Sequence, residues 1–228
     1  MADDIAGLKK LVHERREFEK DSSLSSPDLS ALVSARLCHD LISPMGAIGN
    51  GLELLQMSQG GGADELALIN DSLATALAKL RFYRIAFGPA DPSARQSMDE
   101  AAQLTDSMFH GRFSVEWRFE EPSVPKPIVR LIFLAILCME KSLPMGGCLI
   151  VNVSSDDVEI SVDGTRTVPP TDLWAHVTHG AHIDDLQSNG VQFVLLRNAL
   201  LAGGRTLATS FSEAGASLRL QARSPIPA

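Results

Sequence analysis

Residues 35–55 read ARLCHDLISPMGAIGNGLELL, a helical pattern with a proline in its middle. Leu29, Val33, Leu37, Leu41, Ile48, Leu52 and Leu55 recur mostly at three- and four-residue steps, which draws one apolar stripe along a helix. Ser26-Pro27-Asp28 supplies a start, with an N-cap, a proline at the first helical position and an acid in the first turn. SQGGGAD, residues 58–64, ends it. An interior proline costs roughly 3 kcal/mol, because it removes a donor and crowds the preceding turn. Pro44 cannot donate to the carbonyl of Asp40, so the pattern predicts a loosened turn and a free carbonyl just beyond His39. At about 100° per residue, His39 lies about 200° from both Leu37 and Leu41 and faces away from their stripe.

A second helix is expected from Asp64 to Phe87, with Leu66, Ile69, Leu73, Leu77, Leu80 and Phe87 nearly in heptad register before Gly88. Two helices joined by a short turn cannot enclose their own apolar stripe. A four-helix bundle made by two chains would close it, so a homodimer is expected. Beyond GPADPSARQ the pattern turns mixed. A short helix near residues 97–107 precedes FSVEWRF, whose Phe113, Val115, Trp117 and Phe119 alternate with polar residues as on a half-buried strand. KPIVRLIFLAILCMEKSL reads as a buried helix, CLIVNV and DVEISV as a hairpin, GVQFVLLRNALLAGG as a helix, and RTLATSF and ASLRLQ as strands. The expected fold class is α+β, a helical hairpin followed by helices layered on a sheet. The expected division is an N-terminal extension over 1–26, the hairpin over 27–88 and the α/β unit over 89–228.

Composition narrows the function. A net charge of −8 across 228 residues, with no long basic run, argues against nucleic acid as partner. The longest apolar run, Leu131 to Met139, falls far short of the ~20 residues needed to span a bilayer, so no membrane role is expected. Cys38, Cys138 and Cys148 show neither disulfide nor zinc spacing, which fits a reducing cytoplasm. The first 26 residues lack a signal-peptide core and read as a mobile arm.

On these residues a resemblance can be stated. HDLISP looks like the H-box of two-component histidine kinases. CHDLISPMGAIGNGLELL and LRFYRIAFG, with LPMGG and LLRNALLAGG, resemble the ChpT-like histidine phosphotransferases of alphaproteobacteria. The resemblance implies a dimeric hairpin domain and a degenerate kinase ATPase-like domain. It also implies a phospho-acceptor at His39, with Asp40 orienting and stabilising its imidazole. Sensor kinases reach magnesium with an asparagine on the first long helix of that domain, bind adenine at an Asp-x-Gly-x-Gly turn and cover phosphates with a glycine-rich lid. Here no asparagine occurs between Gln103 and Ile150, the turn reads Asp163-Gly164-Thr165-Arg166-Thr167, and only Gly190 precedes the last helix. No ATP and no cofactor in this chain are therefore expected.

The implied function is phosphotransfer in a multistep phosphorelay, from the receiver domain of a hybrid histidine kinase to response regulators of the CtrA and CpdR types, which control the cell cycle. Magnesium would come from the receiver. Arg36 and Ser43 share the face of His39. With Pro44 they are candidate partner-binding residues; a solvated arginine and a serine bonded back to its own helix are the plainer alternatives. A true kinase with an unusual nucleotide site and a receiver-binding scaffold without chemistry remain open. Gly46, Ala47 and Gly49 thin the first helix, for close packing within the bundle or for a partner's helix. In HVTHGAH, His176, His179 and His182 raise a metal site against a solvated loop. Trp117 and Trp174 read as packing or interface residues rather than a cofactor box.

Overall fold

A computed structural model describes residues 26–57, 62–109, 111–154 and 157–222. The arm expected over residues 1–26 lies, apart from its last residue, outside these. Helix α1 (Ser26–Met57) runs unbroken through Pro44, and α2 (Ala63–Ala86) packs along it. The helices approach closely at Gly51, where an added Cβ would fall 2.7 Å from Cγ1 of Ile69.

The hairpin is rooted in the rest of the molecule through the end of α2. Phe82 and Ala86 are fully buried there, and Phe82 stacks on Phe133 with ring centroids 4.3 Å apart. Arg130 donates to the carbonyl of Ala86 at 3.2 Å, satisfying a helix-end carbonyl that has no partner within its own helix. Phe133 and Arg130 belong to α4 (Lys126–Ser142), whose residues Leu131 to Met139 are all buried, as the continuous apolar run predicts.

Strands β1 (Arg95–Ser97) and β3 (Ser123–Pro125) pair as a small antiparallel ribbon. Between them, α3 (Met98–Met108) is capped by Ser97, whose side chain accepts from the amide of Glu100. The main sheet contains β2 (Phe113–Phe119), β4 (Gly147–Ser154), β5 (Asp157–Asp163), β6 (Arg205–Ser212) and β7 (Gly215–Ala222), in the order β2-β4-β5-β7-β6. Only the β2–β4 pair is parallel, crossing over through α4; the others are antiparallel. Alternation puts Phe113, Val115, Leu149, Val151, Val158, Ile160, Leu218 and Leu220 on one buried face, under α4 and α6 (Val191–Ala202). Glu159 and Arg219 pair across the wet face at 3.0 Å. Helix α5 (Thr171–His179) packs beside α6 and ends at Gly180, whose φ of 77° is the left-handed cap that suits glycine. The fold is α+β, a helical hairpin followed by a mixed sheet with helices on one face.

Candidate active site

His39 sits on the outer side of α1 with its side chain 83% exposed, whereas the neighbouring Asp40 is turned inward and 12% exposed. The two meet at 2.9 Å between Nδ1 of His39 and Oδ1 of Asp40. The other carboxylate oxygen accepts the hydroxyl of Tyr83 and an ion pair from Nε of Arg36 at 2.8 Å. Lys79 donates from Nζ to the main-chain carbonyl of Asp40 at 2.9 Å. Lys79 and Tyr83 stand four residues apart on α2, one above the other on its face towards α1.

Asp40 is thus bonded at the carbonyl and at both carboxylate oxygens. Burial on its own would raise its carboxyl, but the hydrogen bonds from His39 and Tyr83 and the charges of Arg36 and Lys79 outweigh that and hold it below the ordinary carboxylate range. Burial, with Asp40 as neighbour, pushes the Tyr83 phenol well above its usual range, so Tyr83 is the donor to Asp40. An ionised Asp40 can only accept. The proton between it and His39 therefore belongs to Nδ1, which leaves a lone pair on the exposed Nε2.

A cleft of about 280 Å³ opens beside this group, between the hairpin and the α/β unit. Arg36, Lys79 and Tyr83 line one side, and Phe109, Arg112 and Glu140 line the other. Burial raises the Glu140 carboxyl, Asp40 adds to the rise, and Arg36 and Lys79 oppose it.

The structure changes the reading of several residues. The carbonyl released by Pro44 is taken by Lys79 in a part-buried hydrogen bond of 2.9 Å. Pro44 itself is buried, so any effect on a partner passes through the helix rather than through its ring. Arg36 is committed to Asp40 rather than solvated, and Ser43 is exposed on the His39 side. Gly46 and Gly49 are not packed within the chain: a Cβ added at either would meet nothing within 4 Å. The close helix contact falls at Gly51 instead.

A family model described as the histidine phosphotransferase C-terminal domain matches residues 98–215. The protein phosphotransferase ChpT of Brucella abortus (strain 2308) is 40% identical over 163 residues, covering 68% of this chain and 77% of its own. The chain belongs to the histidine phosphotransferase family. A solved bacterial phosphotransferase matches the fold with a TM-score of 0.74 at 29% identity, over 88% of this chain and 99% of that one. The family model starts at the first residue of α3, so it falls on the α/β unit, and His39 lies outside it.

Within that α/β unit, the backbone amides that follow Asp163 bond to neighbouring groups of the chain. The Gly164 amide donates to its neighbour Asp163 at 2.9 Å. The amides of Thr165, Thr167 and Val168 donate to the carbonyls of Ala214, Glu213 and Ser142. Cys138, near the point where the resemblance places an asparagine, is fully buried. Trp174 donates to Ser142 and meets Phe193 edge-on, and Trp117 donates to Thr105, so both act in packing. The histidines of HVTHGAH each turn to a local partner: His176 to the carbonyl of Ala181, His179 to Thr178, and His182 to Asp184 at 3.8 Å. The first two lie on α5 rather than in a loop. Among the described residues no group of three or more potential ligands is placed to hold a metal, and no helix is long and apolar enough to cross a membrane.

Sequence reasoning passed over Lys79, Tyr83 and Glu140. Two signals pointed to Lys79: a carbonyl without a donor demands one from elsewhere, and Lys79 interrupts an otherwise small and apolar stretch, LATALAKL.

Proposed function

We propose that this histidine phosphotransferase carries a phosphoryl group between receiver-domain aspartates through Nε2 of His39, in a multistep phosphorelay, without drawing on ATP. The observation that carries this reading is an exposed imidazole whose inner nitrogen is fixed on a half-buried, ionised aspartate. Nε2 attacks the phosphorus of an aspartyl phosphate in line; the N–P bond forms as the P–O bond breaks, and the receiver's carboxylate leaves with the electron pair. The proton on Nδ1 stays shared with Asp40, whose charge balances the phosphoimidazolium. Such transfer needs placement and charge neutralisation more than covalent help. The reaction runs in either direction.

Magnesium belongs to the receiver in this reading. One imidazole and one carboxylate already occupied by Tyr83 and Arg36 do not fit an ion that demands about six oxygen ligands. The engaged amides at Thr165, Thr167 and Val168 and the buried Cys138 support transfer without ATP. The open side of α1 next to His39, with exposed Ser43 and the bare Gly46 and Gly49, suits a partner's helix at close range. The partners proposed are a hybrid kinase receiver and response regulators of the CtrA and CpdR types. The apolar side chains that α2 leaves exposed, among them Leu66, Leu73, Leu77 and Leu80, support a homodimer. Label transfer from a phosphorylated hybrid-kinase receiver to His39 tests the reading; equal transfer to His39→Ala would overturn it.

A further inference from the structure

We infer that Lys79 and Tyr83 of α2 are positioning residues of the phosphotransfer: they hold Asp40 at its main chain and its carboxylate so that His39 presents one nitrogen to the incoming phosphorus. The inference rests on the role proposed above for His39 and extends it to a helix that contributes no reacting atom.

An ordinary helix would bind the Asp40 carbonyl to the amide of residue 44, locking the turn that carries His39 by its own backbone. Pro44 removes that bond, and Lys79 of the second helix replaces it from outside at 2.9 Å. The orientation of the His39 turn therefore depends on α2 instead of on α1 alone. Tyr83, one turn further along α2, fixes the carboxylate of the same residue. Tyr83 is itself immobilised, 2% exposed and stacked on Phe87 with centroids 4.9 Å apart. Its next neighbour Phe82 is locked against Phe133 of α4. The grip on Asp40 thus continues into the core of the α/β unit. A nucleotide-free role for that unit emerges: it anchors the helix that sets the nucleophile.

Arg36 also bonds Asp40, but from the same helix, four residues back. It moves with α1 and cannot fix the turn relative to anything else. Lys79 and Tyr83 can, because they approach from another element. Two hydrogen bonds involving charged groups, each worth about 1.5–3 kcal/mol, suffice to select one arrangement of Asp40.

Tyr83→Phe removes the hydroxyl and keeps the ring; Lys79→Met removes the ammonium and keeps the stem. The first readout needs no partner: nitrogen NMR of selectively labelled histidine, recorded on the full unphosphorylated chain. Wild type should show His39 protonated at Nδ1, and each variant should show a mixture of tautomers. The second readout is transfer from a phosphorylated hybrid-kinase receiver. Each variant should lose up to about a hundredfold in rate, with receiver affinity unchanged, on the scale of a misplaced group. In an Asp40→Ala background neither substitution should cost anything further, because each acts through Asp40. A structural role alone would leave the tautomer fixed and add its effect in that background, and either result overturns the inference. Failure of wild type to accept label would refute the transfer reading while leaving the tautomer result to decide the positioning. Thermal melts of both variants identify any loss of fold, and Lys79→Met, at a partly exposed site, supplies the test if Tyr83→Phe unfolds.

Discussion

Leu73→Glu with Leu80→Glu should split the proposed dimer. Both leucines point away from the chain's own core, at 45% and 47% exposure, seven residues apart on α2. Complete burial of a leucine is worth about 1.5–3 kcal/mol, so each has about 1 kcal/mol still to gain from a partner. Two leucines in each of two chains hold about 4 kcal/mol, and at about 1.4 kcal/mol per tenfold that is nearly a thousandfold in the dimer constant. Alanine at both positions measures this apolar share. Glutamate adds several kcal/mol for each unpaired charge taken out of water, beyond what a seam of this kind can absorb. Sedimentation equilibrium over a wide concentration range gives the constants, with circular dichroism confirming helix content. The expected series is dimer for wild type, weakened dimer for the double alanine and monomer for the double glutamate. Unchanged mass for the double glutamate would refute the bundle seam and move the interface elsewhere.

Further outcomes follow from the site. Gly46→Leu projects into open space, so fold and dimer should survive and receiver binding should fall in a titration; unaltered binding would take the docked helix off this face. Pro44→Ala regains about 3 kcal/mol of helix propensity and loses about 2 kcal/mol of buried ring, a net gain near 1 kcal/mol in a denaturant melt. It should slow transfer nonetheless, since the restored amide competes with Lys79 for the Asp40 carbonyl; a wild-type rate would reduce the proline to architecture. Glu140 is held above the usual carboxylate range by burial, so its stability contribution is full below the unfolded value, about pH 4.3, and is lost as pH rises through the higher folded one. Glu140→Gln should therefore raise Tm at pH 7, by about 2–4 °C for each kcal/mol recovered, and leave it nearly unchanged at pH 4; a fall at pH 7 would show that its attraction to Arg36 and Lys79 dominates. Asp40 behaves oppositely: its lowered carboxyl stabilises the fold above its unfolded value and stops doing so as pH falls through the folded one.

Periodicity made the two hairpin helices, the buried α4 and the strand alternation legible, because each rests on side-chain spacing within one segment. The ribbon of β1 and β3 was not legible: three residues at Arg95–Ser97 pair with three at Ser123–Pro125, and neither segment has a period. Helix α5 was obscured by Pro169 and Pro170 before it and by its histidines. The contact of His39 with Asp40 was readable because the two are adjacent on one helix. Lys79, Tyr83 and Glu140 were not, since they converge from α2 and α4 across 39, 43 and 100 positions of chain. Gly46 and Gly49 looked like helix-packing glycines equivalent to Gly51; which of the three meets another helix depends on rotation about α1, and only the packed hairpin fixes it.

In the proposed relay, phosphate reaches His39 from an aspartate rather than from ATP. The decisive experiment mixes the chain, free of nucleotide, with a hybrid-kinase receiver carrying labelled aspartyl phosphate and follows the label. Label should move rapidly onto the wild-type chain as an acid-labile, base-stable phosphohistidine, and none should reach His39→Ala. Label that stays on the receiver, or that moves equally onto His39→Ala, would contradict it.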